Sequence, residues 1–159
     1  DSPSEAKEII NSFKNFNYLQ DELLLFGKEY DSMIKIYGSP WQPEFFNWAF
    51  NLPRGEAIRE KWDLIPNGTD ILITHGPVHG FVDRVIGRYD NLGCEELLKK
   101  VNEIKPKIHI CGHIHTGRGY AYNGYTHFIN ASVLNEHYNY AYKPFTIDWN
   151  PITNDVEFL

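Results

Sequence analysis

Cysteine is scarce in this 159-residue sequence. Cys94 and Cys111 are the whole supply, too few for the disulfide framework of a small secreted domain. No apolar run reaches the roughly 18 to 20 residues of a membrane span. Positive charge is thin as well: 15 Lys and Arg against 21 Asp and Glu leave a formal charge of −6, with no basic run. That balance excludes a general nucleic-acid or membrane-surface binder, which needs a basic face. Repeats, low-complexity tracts and linker-like composition shifts are absent too, so one continuous domain over residues 1–159 is expected. No secretory leader opens the sequence, and together with the low cysteine count this predicts a reducing, cytoplasmic setting. The sequons at Asn67 and Asn130 read as chance in that setting.

What is present is enough to fold. Hydrophobic residues make up 42% and aromatics 15%, which is ample for a core. "DSPSEAKEIINSFKNF" predicts a helix capped by Ser2, with Pro3 in its first turn and an apolar stripe at Ile9, Ile10 and Phe13. "DELLLFGKEY" and "MIKIYGSP" read as two strands around a Gly-containing turn. "SPWQPEFFNWAF" and "RGEAIREKWDLI" read as short helices. A strand over Ile71–Thr74, a helix "GCEELLKKVNEI" and a strand in "KPKIHICGH" then suggest a right-handed crossover unit. "GYAYNGYTHFINAS" and "PFTIDWNP" read as hairpins, the first turning at Asn123-Gly124.

Both strands of the crossover unit run into loops that begin with histidine and glycine, and the C-terminal rim of an open α/β sheet is where ligands bind. The stretch "HICGHIHTGRG", His109 to Gly119, holds three of the seven histidines. On an extended backbone His113 and His115 would share a face, about 7 Å apart at Cα, and could pinch one metal or reach one each of two. Gly112, Gly117 and Gly119 give that loop room and access to positive φ. His75, ending the other strand, would complete a rim site. His79 is a candidate substrate contact. His109 alternates with two isoleucines and reads as structural, as does Cys111; His127 and His137 carry no pattern. The aromatic clusters "WQPEFFNWAF" and "EHYNYAYKPF" read as core. Asp83, Asp90, Glu95 and Glu96 read as favouring the dipole of the following helix.

Several of these stretches together resemble the calcineurin-like metallophosphoesterases, most closely the metallophosphoesterase-domain-containing branch. They are Thr74-His75-Gly76-Pro77, the run from Gly93 to Leu98, Lys105-Pro106-Lys107 onward to His115, and also "YLQDE", "IYGSPWQPEF" and "FINAS". Val78 stands where a second proline is usual. The resemblance implies an α/β fold, the C-terminal half of a four-layer α/β/β/α sandwich with two metals at the sheet rim. It implies His75 and His113 on one metal and His115 on the other, with Mn, Fe or Zn suited to such ligands. A hydroxide between the metals would attack a phosphate ester or nucleotide substrate.

Three motifs that the resemblance calls for are not in this sequence: an Asp-x-His, a Gly-Asp-x-x-(Asp/Gly) with the bridging carboxylate, and a Gly-Asn-His-(Asp/Glu). Without the bridging carboxylate two nearby divalent ions would repel, so at most one metal is expected here, and no catalytic residue is identifiable. The expected function is a metal-dependent phosphodiesterase or phosphatase present as its C-terminal portion, inactive or weakly active alone. A missing N-terminal segment or a homo-oligomer partner would cover the sheet face and edges that half a sandwich leaves open. The alternative is an inactive metal- or nucleotide-binding remnant acting through self-association. A structural zinc site is a poorer fit, because only Cys111 lies near these histidines.

Overall fold

The computed structural model describes residues 3–28, 33–87 and 89–159. Its centre is a six-stranded mixed sheet in the order β1-β2-β5-β6-β8-β7. Strands β2 (Ile34–Ser39), β5 (Ile71–Thr74), β6 (Ile108–Cys111) and β8 (His127–Asn130) run parallel. The edges β1 (Glu22–Phe26) and β7 (Gly119–Tyr122) are antiparallel to their neighbours. Two pairs stand apart: β3 (Gln42–Pro43) with β4 (Asn51–Leu52), and β9 (Ile147–Trp149) with β10 (Val156–Phe158). Among the described residues there are three α-helices: α1 (Pro3–Asn11), α2 (Glu56–Trp62) and α3 (Glu95–Ile104).

Register explains the core. Tyr37, Leu72, His109 and Phe128 are successive cross-strand partners and so share one face of the sheet. Ile58 and Trp62 of α2 and Leu97 and Val101 of α3 pack onto it, with Val78 and Cys94 between. Trp62, Tyr37 and Phe128 are each at most 2% exposed, and at ~25 cal/mol per Å² each contributes on the order of 4–6 kcal/mol of burial. The opposite face carries Ile36, Ile71 and Ile108 in one row and Ile73 and Ile110 in the next. That face is unevenly covered: Ile108 is 1% exposed, whereas Ile73 is 39% and Phe26 of the edge strand 64%.

Most elements fall where the sequence predicts them, with instructive exceptions. Helix α1 forms, but Ile9 and Phe13 of its stripe are exposed rather than buried; the proposed Ser2 cap and the residues 29–32 between β1 and β2 lie outside the described residues. "SPWQPEFFNWAF" is not a helix. Gln42 N donates to Phe50 O (3.0 Å) and Glu44 N to Leu52 O (3.1 Å), closing a loop in which Phe46 and Phe50 take positive φ. Pro40 and Pro43 remove helical donors there. In the β7–β8 hairpin Tyr122 pairs with His127, and Asn123 N donates to Thr126 O. The turn is therefore Gly124-Tyr125, one residue later than expected, and only Gly124 has positive φ (95°), as a II′ turn requires.

Candidate metal centre

Strands β5 and β6 stop side by side, and a backbone bond from Gly112 N to His75 O (2.9 Å) ties the two rim loops together. The Thr74 hydroxyl shapes the first loop by donating to Gly76 O (2.6 Å). Its only proton is then used, so the contact with His109 Nε2 (2.8 Å) runs from ring N–H to hydroxyl oxygen. His109 is fully buried and its Nδ1 has no partner; burial lowers its pKa to about 3. It is a structural histidine, as its alternation in the sequence predicts. Cys111 is likewise core, with its thiol pushed up by burial.

His75 and His113 meet. Their rings lie 4.8 Å apart, with His75 Nε2 3.1 Å from His113 Nδ1. Desolvation lowers the pKa of both, to about 4 for His113, where His75 and His115 add to the effect. The extended His-x-His geometry does not occur. His113 sits in the left-handed region (φ 66°) and His115 opens a 3₁₀ turn, His115–Gly117. His115 Nδ1 lies 2.7 Å from Asn135 O. A carbonyl only accepts, so Nδ1 carries the proton and Nε2 keeps the lone pair in the neutral ring.

All three histidines line one cleft of about 440 Å³, within the size range of small-molecule sites. His79 does not line it; its backbone N–H is held by Cys94 O (3.1 Å). Among the described residues no three His, Cys, Asp or Glu side chains come close enough together to hold a metal ion. The donor set still fits one ion in part. Two nitrogens bound at ~2.0–2.1 Å with an angle of about 95–110° lie about 3.0–3.4 Å apart, and the His75–His113 pair is at 3.1 Å.

The aromatic clusters are core only in part: Trp41 packs against it, while most of the others face outward. Phe45 (41% exposed) and Trp48 (44%) present edges to His113 at centroid distances of 5.3 and 5.9 Å. Tyr138, 64% exposed, meets His115 at 5.0 Å. Phe45 and Trp48 sit in the β3–β4 loop, which Asn51 Nδ2 closes by donating to Phe45 O and Phe46 O, both at 3.1 Å; Tyr138 comes from the 132–143 loop. Composition says how many aromatics there are, not which side they face. Arg54 lies in the cleft wall with its guanidinium committed to Gly93 O and Leu92 O (2.8 Å each) and to the Glu95 carboxylate.

Two further residues set the rim, and sequence reasoning assigned neither to the site. Asn130, at the end of β8 and fully buried, donates to Val82 O (3.0 Å) and Ile114 O (2.8 Å) and accepts from Ser132 N and Oγ. Its sequon is accordingly inaccessible. Asp83 does not serve the α3 dipole. It is 1% exposed, and Oδ2 accepts from Gly80 N and Gly93 N (2.9 Å each), folding the 79–93 connection onto itself. Only Asp83 carried a local signal, lying in a connection punctuated by Gly80, Gly87 and Gly93; the segment after Asn130 holds no glycine and gave none.

A solved crystal structure matches this chain with a TM-score of 0.62 at 16% identity, over 98% of this chain and 58% of that one. Sheet, rim and relatives together define the class: a mixed α/β protein of the metallophosphoesterase type. Metallophosphoesterase domain-containing protein 1 of human and of mouse are each 46% identical to it over 148 residues, 92% of this chain and 44% of theirs. The UPF0046 protein T07D4.2 of Caenorhabditis elegans is 43% identical over 145 residues, 90% of this chain and 34% of its own. The chain belongs to this metallophosphoesterase domain-containing group and corresponds to the C-terminal part of the human and mouse proteins. It spans less than half the length of these relatives. No family profile matches it. No helix among the described residues is long and apolar enough to cross a membrane.

Proposed function

We propose that the chain is the imidazole-bearing C-terminal portion of a metal-dependent phosphoesterase. It would bind one divalent ion through His75 and His113, with His115 facing the same cleft for a second. The observation that carries this reading is the meeting of His75 and His113, 38 positions apart, at 3.1 Å on the rim of the mixed sheet, where the parallel strands β5 and β6 end. A divalent ion such as Mn, Fe or Zn supplies Lewis-acid activation of water and of the phosphoryl group when bound. The chain's own residues do the rest. His75 and His113 bind, the Asn135 carbonyl orients His115, and Phe45, Trp48 and Tyr138 exclude water and offer ring edges and faces to the organic part of a phosphate ester or nucleotide. Among the described residues no carboxylate joins these histidines in a metal-holding group, so this portion should hold a single ion. The bridging ligand would come from an N-terminal segment, or from a second copy, seated on the open sheet face.

Calorimetric titration with Mn²⁺ and Zn²⁺, combined with hydrolysis of an aryl phosphodiester, tests this. One ion per chain is expected, lost in His75→Ala and His113→Ala, with slow or no turnover. A longer chain carrying the additional length of the relatives should take two ions and turn over, and His115→Ala should stop it. Stoichiometric binding without turnover in either form would favour the inactive remnant. Binding indifferent to all three histidines would refute the site.

A further inference from the structure

The loop 132–143 supplies the partner that orients His115, yet no residue between 131 and 145 is buried. Burial therefore does not hold it in place. Apart from the contacts of Asn135 O and the Tyr138 ring with His115, the tip is stitched to itself: Asn135 N donates to Asn139 O, Asn135 Oδ1 accepts from His137 N and Asn139 N, and Ala141 N and Tyr142 N reach Val133 O. The entry to the loop is held by Asn130 through Ser132. One side chain joins entry and exit. Arg118 donates from Nη1 to Ser132 O and from Nη2 to Lys143 O, both at 2.7 Å. Its guanidinium lies 3.9 Å from the Phe145 ring centroid and 5.1 Å from that of Tyr142. Its own backbone N–H closes the 3₁₀ turn on His115 O (3.1 Å).

We propose that Arg118 is a positioning residue for His115: by gripping both ends of the 132–143 loop it keeps the Asn135 carbonyl on Nδ1 and so fixes the ring as the Nδ1–H tautomer. A planar fork with two parallel donors can span two carbonyls while stacking on an aromatic face; a lysine ammonium offers a single point of charge and cannot. The consequence for metal affinity rests on the reading of His115 as a ligand under Proposed function, whereas the tautomer does not.

Long-range ¹H–¹⁵N imidazole spectra of the metal-free chain decide the tautomer, with His109 and His127 as internal references. Wild type should show His115 with a protonated Nδ1 and a bare Nε2. Arg118→Ala should lose that pattern to a tautomer average while His109 and His127 stay unchanged. If Arg118→Ala disturbs those references, Arg118→Lys replaces it and should show the same loss. A wild-type His115 pattern in whichever variant keeps the references overturns the proposal. Zinc titration of the same proteins should show about 10- to 100-fold weaker binding at the His115 site, in a chain long enough to fill it. Weakening by His115→Ala without weakening by Arg118→Lys overturns the positioning role and leaves the ligand intact. No weakening by His115→Ala refutes the ligand reading, and the spectra alone then judge Arg118.

Discussion

Acid should unfold this protein through His109. The ring is fully buried with its Nδ1 unpartnered, so the folded state refuses a proton until about pH 3, whereas the unfolded chain accepts one near 6.5. The folded pKa is depressed, so the stabilising contribution is complete above pH 6.5 and is lost as pH falls from there toward 3. The slope is about 1.4 kcal/mol per pH unit for one such group, so lowering the pH from 7 to 4.5 should cost about 2 to 3 kcal/mol from His109 alone. His113 adds to the loss over 6.5 to 4. Urea denaturation of wild type and His109→Gln at both pH values separates the two. The glutamine variant starts less stable at neutral pH, because the Thr74 contact is altered. Its loss between pH 7 and 4.5 should nevertheless be smaller by roughly 2 to 3 kcal/mol. Equal losses in the two proteins would refute the argument. They would mean that His109 reaches solvent, or finds a proton acceptor, in the folded state.

Other outcomes follow from the rim. A Cβ on Gly93 would lie 2.1 Å from Val78 O, a backbone atom that cannot swing aside, so Gly93→Ala should cost about 3 kcal/mol or more and lower the midpoint of thermal unfolding. Gly55→Ala meets nothing within 4 Å at φ +88°; only backbone strain opposes it, and a loss of about 1 to 2 kcal/mol in the same melts is expected. Asn130→Ala strips partners from the carbonyls of Val82 and Ile114, a loss of about 2 to 4 kcal/mol, read by urea titration. Phe45→Ala with Trp48→Ala should leave stability within about 1 kcal/mol, since both rings are over 40% exposed. In an active longer chain the pair should raise KM more than it lowers kcat.

Legibility followed the physics of each signal. The strands around Ile71–Thr74 and Ile108–Cys111 and the helix Glu95–Ile104 were readable because apolar runs and periodicity stop at glycine or histidine, and those stops are local chemistry. The β3–β4 loop was not. Its aromatics look like core in composition, and the loop that Asn51 and Gln42 close with side-chain bonds to its own carbonyls presents Phe45 and Trp48 to the cleft. The geometry at His113 was equally hidden, since a left-handed histidine is sterically unfavourable and local sequence argues against it. The ends of β5 and β6 meet there, Gly112 N donating to His75 O at 2.9 Å, so the left-handed residue directly follows a tertiary bond between the two rim loops. The partner of His115 comes from a loop 20 residues downstream, a separation that no local motif reports.

That left-handed backbone changes what alanine scanning would measure at position 113. Alanine there removes the ring but keeps the unfavourable φ, whereas glycine removes both at once. If His113→Gly proves more stable than His113→Ala, the difference gives the conformational cost that the native histidine carries in order to point its nitrogen at residue 75.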